Sequence, residues 1–129
     1  TWVAQAMSRD ISCVDRHILL DNAEMILRER PEWLLIENEN LLLSTADLAL
    51  AMAYDAEHER PPTLDLIAMP GDREEVGRIS LKANLQDALD QMQASQLQWL
   101  AVYRDTGEQR CVGVVSRERI EHFYRYQPN

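Results

Sequence analysis

One local pattern occurs twice in this chain, and that repeat limits the possible folds more than any other feature. Trp33–Leu48 begins with an apolar run, passes an Asn-rich turn into a second apolar run, and ends in a helix predicted to open at Ser44 or Thr45. Trp99–Ser116 has the same order, with a polar turn through Gly107, and leads into another predicted helix. Short apolar runs bounded by turn residues predict strands. Each copy is therefore a strand–turn–strand–helix unit.

A further strand and helix precede this unit in both halves. Ile11–Val14 and Val76–Leu81 are rich in apolar and β-branched residues, which predicts strands. Helical spacing of apolar residues predicts helices over Leu19–Arg30 and Leu85–Ser95, with Arg117–Tyr126 closing the chain. Each half therefore reads strand–helix–strand–strand–helix, and an internal repeat of this length is itself a fold signal.

The length of the chain indicates that the two halves share a core. The chain has 129 residues, the size of one compact domain, and halves of about sixty residues would each be marginally stable alone. We predict an α+β fold in which two β-α-β-β-α repeats are related by a pseudo-twofold axis. The predicted boundaries are 1–56 for repeat 1, 57–64 for a charged, proline-rich linker, and 65–129 for repeat 2.

The charge and hydropathy of the chain exclude several classes of partner. The formal net charge of −9 argues against a nucleic-acid partner, which needs a basic surface, and disfavours adhesion to anionic lipid. The apolar runs are too short to span a bilayer, so we expect no direct membrane insertion. The chain begins at Thr1 rather than Met, which suggests a piece of a longer protein.

The reactive side chains form no catalytic or metal-binding pattern. His17, His58 and His122 are scattered without metal-ligand spacing, and no serine or cysteine has a recognisable catalytic partner. We therefore expect no metal and no enzymatic activity. Cys13 and Cys111 fall in predicted strands, one in each repeat, which favours buried reduced thiols. A disulfide between them stays open, because the sequence does not give their distance.

The two copies resemble the repeats of a CBS domain pair, also called a Bateman module. The repeat of that family carries Gly–apolar–apolar–Ser/Thr–x–x–Asp–apolar leading into a helix. The first copy, Leu-Leu-Leu-Ser-Thr-Ala-Asp-Leu, keeps Ser44 and Asp47 but lacks the glycine. The second keeps Gly113 and Ser116 but has Arg119 where the aspartate belongs. The resemblance covers essentially the whole chain and implies the fold of such a pair.

A narrower resemblance concerns the parent protein. Trp-Leu-Leu-Ile, Leu-Leu-Ser-Thr-Ala-Asp-Leu-Ala and the closing Gly-Val-Val-Ser-Arg-Glu-Arg-Ile-Glu-His-Phe-Tyr-Arg-Tyr are similar to the cytoplasmic C-terminal region of bacterial CLC-type chloride channels and transporters. This implies a non-catalytic regulatory module in the cytoplasm, as a soluble domain of an inner-membrane protein. Its membrane channel domain would lie in the same full-length chain, and the modules would form a homodimer.

Two alternatives to a chloride-channel regulator stay open. Other transporters and several cytosolic enzymes carry the same kind of module, so the chain could regulate one of those proteins instead. It could also be a purely structural dimerisation module without a nucleotide ligand. The missing aspartate in repeat 2 and the missing glycine in repeat 1 both favour this second alternative.

The resemblance also implies a ligand and the residues that hold it. The family binds adenine nucleotides in clefts between its repeats, which implies ATP, ADP or AMP as ligand. The aspartate accepts hydrogen bonds from the ribose hydroxyls, and the serine lies near phosphate or ribose. The matching positions are Ser44 and Asp47 in repeat 1 and Ser116 in repeat 2. Leu42 and Val114, two positions before the serines, would face the base.

These residues also have simpler interpretations. Ser44 and Asp47 have the spacing of a capping box at a helix start, and one residue can serve both purposes. Arg119 either pairs with a phosphate or is a solvated helix residue that bridges to a nearby acid. Trp33 and Trp99 are core residues, subunit-contact residues or platforms on which a base stacks.

Overall fold

The structure is a computed structural model that describes residues 1–55, 62–105 and 111–126. The described residues form five α-helices and eight strands, so the predicted α+β class is confirmed. The helices are α1 (Val3–Ala6), α2 (Leu20–Glu29), α3 (Thr45–Asp55), α4 (Leu85–Ser95) and α5 (Arg117–Tyr126). The strands are β1 (Ile11–Val14), β2 (His17–Leu19), β3 (Trp33–Ile36), β4 (Leu41–Ser44), β5 (Thr63–Asp65), β6 (Glu74–Ser80), β7 (Trp99–Tyr103) and β8 (Cys111–Ser116).

The chain divides into two compact units. The central unit is Asp10–Arg73, and the terminal unit combines Thr1–Arg9 with Glu74–Asn129. The central unit contains β1 to β5 with α2 and α3, and the terminal unit contains α1, β6 to β8, α4 and α5. Both units show the predicted order of strand, helix, two antiparallel strands and helix.

In the central unit, β3 is the middle strand. It pairs with β1 in parallel and with β4 in antiparallel register. A left-handed residue ends α2 at Arg30 (φ 53°), and another at Asn40 (φ 52°) turns the chain into β4. Helices α2 and α3 pack their apolar faces against the sheet and against the segment that follows β5. The core residues are Ile18, Ala23, Ile26, Leu34, Ile36, Leu43, Leu48, Met52 and Leu66.

In the terminal unit, β7 is the middle strand. It pairs with β6 in parallel and with β8 in antiparallel register. Helix α4 begins with a capping box, in which Asn84 Oδ1 accepts from the Asp87 N–H (2.8 Å) and Asp87 Oδ2 accepts from the Asn84 N–H (3.3 Å). The core residues are Val3, Ala6, Met7, Ile79, Leu85, Ala88, Met92, Leu100, Val102, Val115 and Ile120.

The compact units cover other residues than the predicted repeats 1–56 and 65–129, and the repeat boundaries stay a prediction. Val3 and Ala6 of α1 bury their side chains in the core of the terminal unit, although they lie at the start of the predicted first repeat. Leu66 belongs to the core of the central unit, although it lies in the predicted second repeat. Burial of these apolar side chains decides where each segment packs. The predicted linker 57–64 lies largely outside the described residues, as does the hairpin turn through Gly107.

A glycine allows the N-terminal segment to reach β8. Ser8 and Val114 exchange two backbone hydrogen bonds, with N···O distances of 2.7 and 2.9 Å. A Cβ atom on Gly113 would lie 2.7 Å from the Ser8 carbonyl oxygen and 2.9 Å from Met7 Sδ. The glycine of the second repeat is therefore required for close packing of a neighbouring backbone segment.

An ion pair supports the short ladder between β2 and β5. Arg16 donates from Nε and Nη2 to the two carboxylate oxygens of Asp65, both at 2.9 Å, a bidentate geometry. Asp65 Oδ1 also accepts from the backbone N–H groups of Ile67 (3.0 Å) and Ala68 (3.4 Å). The Arg16 hydrogen bonds are the largest influence on the pKa of Asp65 and lower it, whereas desolvation, the next largest, raises it. The two backbone N–H groups and the charge of Arg16 lower the pKa further, so that it lies below the ordinary value.

The predicted state of the two cysteines is correct for one of them. Cys111 is buried on β8 as expected, but Cys13 is exposed on β1. The prediction of burial for Cys13 is wrong: it lies on β1, which pairs with β3, and its side chain is on the exposed side of the strand. No disulfide joins the two residues.

We predict that Gly113→Ala destabilises the chain by about 1–3 kcal/mol, because the new methyl group meets backbone that has little freedom to move. Gly77→Ala on β6 is the matched control: there the nearest atom to the added Cβ is a side-chain atom, Leu100 Cδ2 at 2.8 Å, and not backbone. Urea unfolding of both variants measures the difference. An equal or smaller loss for Gly113→Ala would contradict the role assigned to this glycine.

We also predict that the stabilising effect of Asp65 depends on pH. Its folded-state pKa lies below the ordinary value of 3.8. The folded state therefore binds fewer protons than the unfolded state, and the contribution is fully present above that value and lost as pH falls toward the folded-state pKa. The difference in free energy of unfolding between wild type and Asp65→Asn should be largest near neutral pH and shrink in acid.

The control for this experiment is Asp15→Asn, which makes the same charge change at an exposed neighbour of Arg16. Unfolding curves for the three proteins, recorded from neutral to strongly acidic pH, give the comparison. A stability gap for Asp65→Asn that stays constant over this range would refute the ion-pair explanation.

Candidate functional site

The clearest candidate site lies at the start of α3, where β4 runs directly into the helix. Ser44, the last residue of β4, caps the helix: its Oγ accepts a hydrogen bond from the Asp47 N–H at 3.1 Å. The predicted capping role of Ser44 is therefore confirmed. The Asp47 carboxylate has a different partner, because its Oδ2 accepts from the Asp72 N–H at 3.2 Å. This bond ties the first turn of α3 to the turn that follows β5.

Gly71 brings that turn close to Asp47. Its φ angle of +133° lies in a region that L-residues rarely adopt. A Cβ atom at this position would lie 2.7 Å from Asp47 Oδ2. Glycine is required here both for its conformation and for the close approach to the carboxylate.

A cleft of about 570 Å³ lies between α3 and the segment from β5 to Gly71, within the central unit. Its walls are mostly apolar: Leu50, Ala51, Tyr54, Leu64, Met69 and Pro70. Asp47 and Asp65 are the acidic groups among its lining residues. A carboxylate has about four acceptor positions on its two oxygens, so Asp47 retains acceptor capacity beyond its bond to Asp72. The cleft thus combines apolar walls with an acceptor.

Asp65 and Arg73 fix the wall of the cleft opposite α3. Asp65 is held by Arg16 and by two backbone N–H groups, as described above. The Arg73 guanidinium donates to the carbonyl oxygens of Leu66 (2.6 and 3.1 Å) and Met69 (2.6 Å). These hydrogen bonds hold the backbone after β5 in its turn, and this gives the cleft one preformed wall.

The equivalent position in the terminal unit has a different arrangement. Ser116 caps α5, since its Oγ accepts from the Arg119 N–H at 3.0 Å. Arg119 is exposed, and its Nε donates to the Ala6 carbonyl oxygen at 3.3 Å, at the C-terminal end of α1. This contact to a backbone carbonyl is neither of the two partners predicted for Arg119. A cation at a helix C-terminus is favoured by the helix dipole.

The predicted site residues thus fall into two separate groups. Ser44 and Asp47 lie together in the central unit, and Ser116 and Arg119 lie together in the terminal unit. Leu42 on β4 and Val114 on β8 are buried, with 0% and 1% of their surface exposed. Neither is among the residues that line the cleft at Asp47. Their contact with a base, and ligand binding by the other four, stay predictions.

Three residues of the candidate site are not among those predicted from the sequence: Asp65, Gly71 and Tyr54. A signal was present for Asp65, which is a single carboxylate inside the otherwise apolar segment Leu64–Met69. Gly71 lies in a Pro-Gly-Asp sequence that is typical of a turn and gives no indication of its contact with Asp47. Tyr54, 68% exposed near the end of α3, gave no pattern that distinguishes it from other surface residues.

The described part of the chain contains no group of three or more His, Cys, Asp or Glu side chains arranged to hold a metal ion. Across the same residues, no helix combines the length and the apolar character needed to cross a membrane.

No model of a known protein family matches this sequence, and no curated protein matches it either. Solved structures do match. The CBS domain of a candidate transporter from Clostridium difficile 630 has a TM-score of 0.60 at 16% identity, over 98% of this chain and 95% of that one. The CBS domain pair of protein MJ0100, in complex with 5′-methylthioadenosine and S-adenosyl-L-methionine, has a TM-score of 0.55 at 17% identity, over 98% of both chains.

A third match is the cytosolic domain of the Mg²⁺ channel MgtE in complex with ATP. Its TM-score is 0.52 at 16% identity, over 94% of this chain and 48% of that one. At these levels of identity the likeness concerns the fold. The order of strands and helices, the cap at each closing helix and these three structures lead to one conclusion: this chain has the fold of a CBS domain pair.

Proposed function

We propose that this chain is a non-catalytic regulatory module that binds an adenosine-containing ligand in the Asp47 cleft. The observation that carries the proposal is a carboxylate in the first turn of α3 beside a largely apolar cleft of about 570 Å³. A carboxylate pairs well with the two vicinal hydroxyls of a ribose, and apolar walls suit a purine base.

The walls of the cleft support this ligand class. Tyr54 is 68% exposed and Leu50 is 70% exposed, and both line the cleft. Exposed apolar side chains along a cleft mark an interaction site. The ligands of two proteins with this fold, methylthioadenosine and S-adenosylmethionine in one and ATP in the other, share the adenosine group.

The same contacts suggest how binding is transmitted. The Asp72 N–H is bonded to the Asp47 carboxylate, and Asp72 lies in the last turn before the chain leaves the central unit at Arg73. A ligand that engages Asp47 competes for or strengthens this bond, and so changes the stability of the turn. Ligand binding thereby biases the segment that leads into the terminal unit.

We further propose that the parent protein is a membrane transporter or channel, of the CLC chloride type. Support comes from the segments that resemble the cytoplasmic region of those proteins and from the transport-related proteins with this fold. In this proposal the module is cytoplasmic, belongs to the same chain as the membrane domain, and forms a homodimer. Regulation of another transporter or of a cytosolic enzyme is the alternative for the parent.

A purely structural module without a ligand is the second candidate function. It is favoured by the cap that Ser44 and Ser116 each form and by Arg119, which occupies the position of the second aspartate and bonds to Ala6. The bond between Asp47 and Asp72 also gives the first aspartate a structural role.

We predict that adenosine binds the chain in isothermal titration calorimetry and that Asp47→Asn weakens this binding by about ten- to a hundredfold. Loss of charge-assisted hydrogen bonds to the ribose costs about 1.5–3 kcal/mol, while the amide oxygen of Asn still accepts from Asp72. Asp90→Asn is the control, because Asp90 is an exposed acid on α4 whose carboxylate accepts from Gln86. Unchanged adenosine affinity in Asp47→Asn would exclude this site, and absence of any heat would favour the structural module.

For the homodimer, we predict concentration-dependent association in sedimentation velocity experiments. Helix α5 offers Tyr124, which is 40% exposed and contacts Phe123 edge-to-face with ring centroids 6.4 Å apart. Tyr124→Asp should shift the protein toward the monomer, because a charge would be buried in the contact. Gln93→Asp, an exposed position on α4, is the control. A wild-type chain that stays monomeric at high concentration would refute the dimer.

A further inference from the structure

We infer that the Asp47 cleft selects adenosine derivatives without a 5′-phosphate over AMP, ADP and ATP. The inference rests on the proposed ligand function of the cleft, and it adds the charge class of the ligand. Neutral nucleosides and positively charged adenosyl compounds fit this class.

The described lining of the cleft carries negative charge. Among the described residues that line the cleft, the formally charged ones are Asp47 and Asp65, and none is Lys, Arg or His. The remaining lining is mainly apolar. A phosphate group needs cations or free N–H donors to replace its hydration. The cleft instead offers it a carboxylate and apolar side chains.

The arginine side chains near the cleft already have hydrogen-bond partners. Arg16 already forms two hydrogen bonds of 2.9 Å with Asp65. Rotation of Arg16 toward a phosphate would leave Asp65 without this partner, and the gain would be offset. Arg73 donates to the carbonyl oxygens of Leu66, Met69 and Asp72. His17 Nε2 lies 3.5 Å from Asp65 Oδ2 and so faces the same carboxylate. Both guanidinium groups and this imidazole are thus engaged with the backbone or the carboxylate of the cleft wall.

A phosphate could also meet the N-terminus of α3, because helix N-termini commonly bind phosphate. Here the Thr45 N–H donates to the Glu32 carbonyl oxygen at 3.2 Å, and the Asp47 N–H donates to Ser44 Oγ at 3.1 Å. The carboxylate of Asp47 itself lies in the first turn and supplies the negative charge that the helix dipole favours. A second negative charge at this end of the helix would meet repulsion.

The two units differ in the charge three residues after the capping serine. Arg119 follows Ser116 at the spacing that Asp47 has from Ser44, so the two units carry opposite charges at equivalent positions. The net charge of −9 acts in the same direction as Asp47. One negative charge roughly 6 Å from another in a partly hydrated cleft weakens binding by about tenfold, and salt screens part of this effect.

The experiment is calorimetric titration of the chain with adenosine, 5′-methylthioadenosine, AMP and ATP, at low and at high salt. At low salt, we expect the affinities for adenosine and 5′-methylthioadenosine to be higher than the affinity for AMP by about tenfold or more. The difference should decrease at high salt, because the repulsion is electrostatic. ATP, with more negative charge, should bind more weakly than AMP.

A charge variant tests the cause. Leu50 lines the cleft and is 70% exposed, so Leu50→Arg adds a cation at the rim without disturbing the core. We expect the ratio of AMP affinity to adenosine affinity to be about tenfold higher in Leu50→Arg than in the uncharged control Leu50→Gln, because both variants remove the same apolar side chain and only the first adds a cation.

The possible results separate the two proposals. Wild-type affinity for AMP equal to or greater than that for adenosine would overturn the charge inference and leave the proposed ligand function intact. The same holds if Leu50→Arg and Leu50→Gln give the same ratio of AMP to adenosine affinity. Absence of binding for all four compounds would overturn the proposed ligand function and the inference that depends on it.

Discussion

Burial of the apolar surface of two small cores is the constraint on which the rest of this structure depends. Each unit has a short sheet whose helices leave part of the apolar surface to be covered by another segment. In the terminal unit, α1 supplies Val3 and Ala6, and in the central unit the segment after β5 supplies Leu66. The side chains of Val3, Ala6 and Leu66 are each at most 2% exposed. A unit cut at the repeat boundaries would lack this cover, so the burial of apolar surface sets the boundaries of the units.

The segment that closes the central core also forms the candidate site. Leu66 enters the core, while Asp65 on one side of it and Met69 to Gly71 on the other form the wall of the cleft. The Arg16 and Arg73 guanidinium groups hold this backbone from both ends. The candidate site and the packing of the core therefore share one stretch of chain. In the proposed function, a ligand that changes the bond between Asp47 and Asp72 acts on a segment whose position matters for the fold.

The two repeats use the same strand–helix junction but give it different chemistry. A serine caps the helix in both, with hydrogen bonds of 3.1 and 3.0 Å. These local features, and every strand and helix with at least four residues of clear apolar pattern, could be predicted from the sequence. The strands β2 and β5 could not, since each has three residues, and α1 could not, since its four residues make only about one helical turn and show no helical period. Asp65 and Gly71 were missed as site residues because their role comes from partners distant in sequence.

The sequence by itself determined the order of strands and helices, the serine cap at Ser44 and the place of Asp47 in the first turn of α3, because these features depend on neighbours within a few residues. Tertiary structure alone decided which unit receives α1 and Leu66, which partner the Asp47 carboxylate has, and where a cleft opens. Those outcomes depend on side chains that are far apart along the chain and come together only when apolar surface is buried. The bidentate contact of Arg16 with Asp65 and the approach of Gly71 to Asp47 exist for that reason.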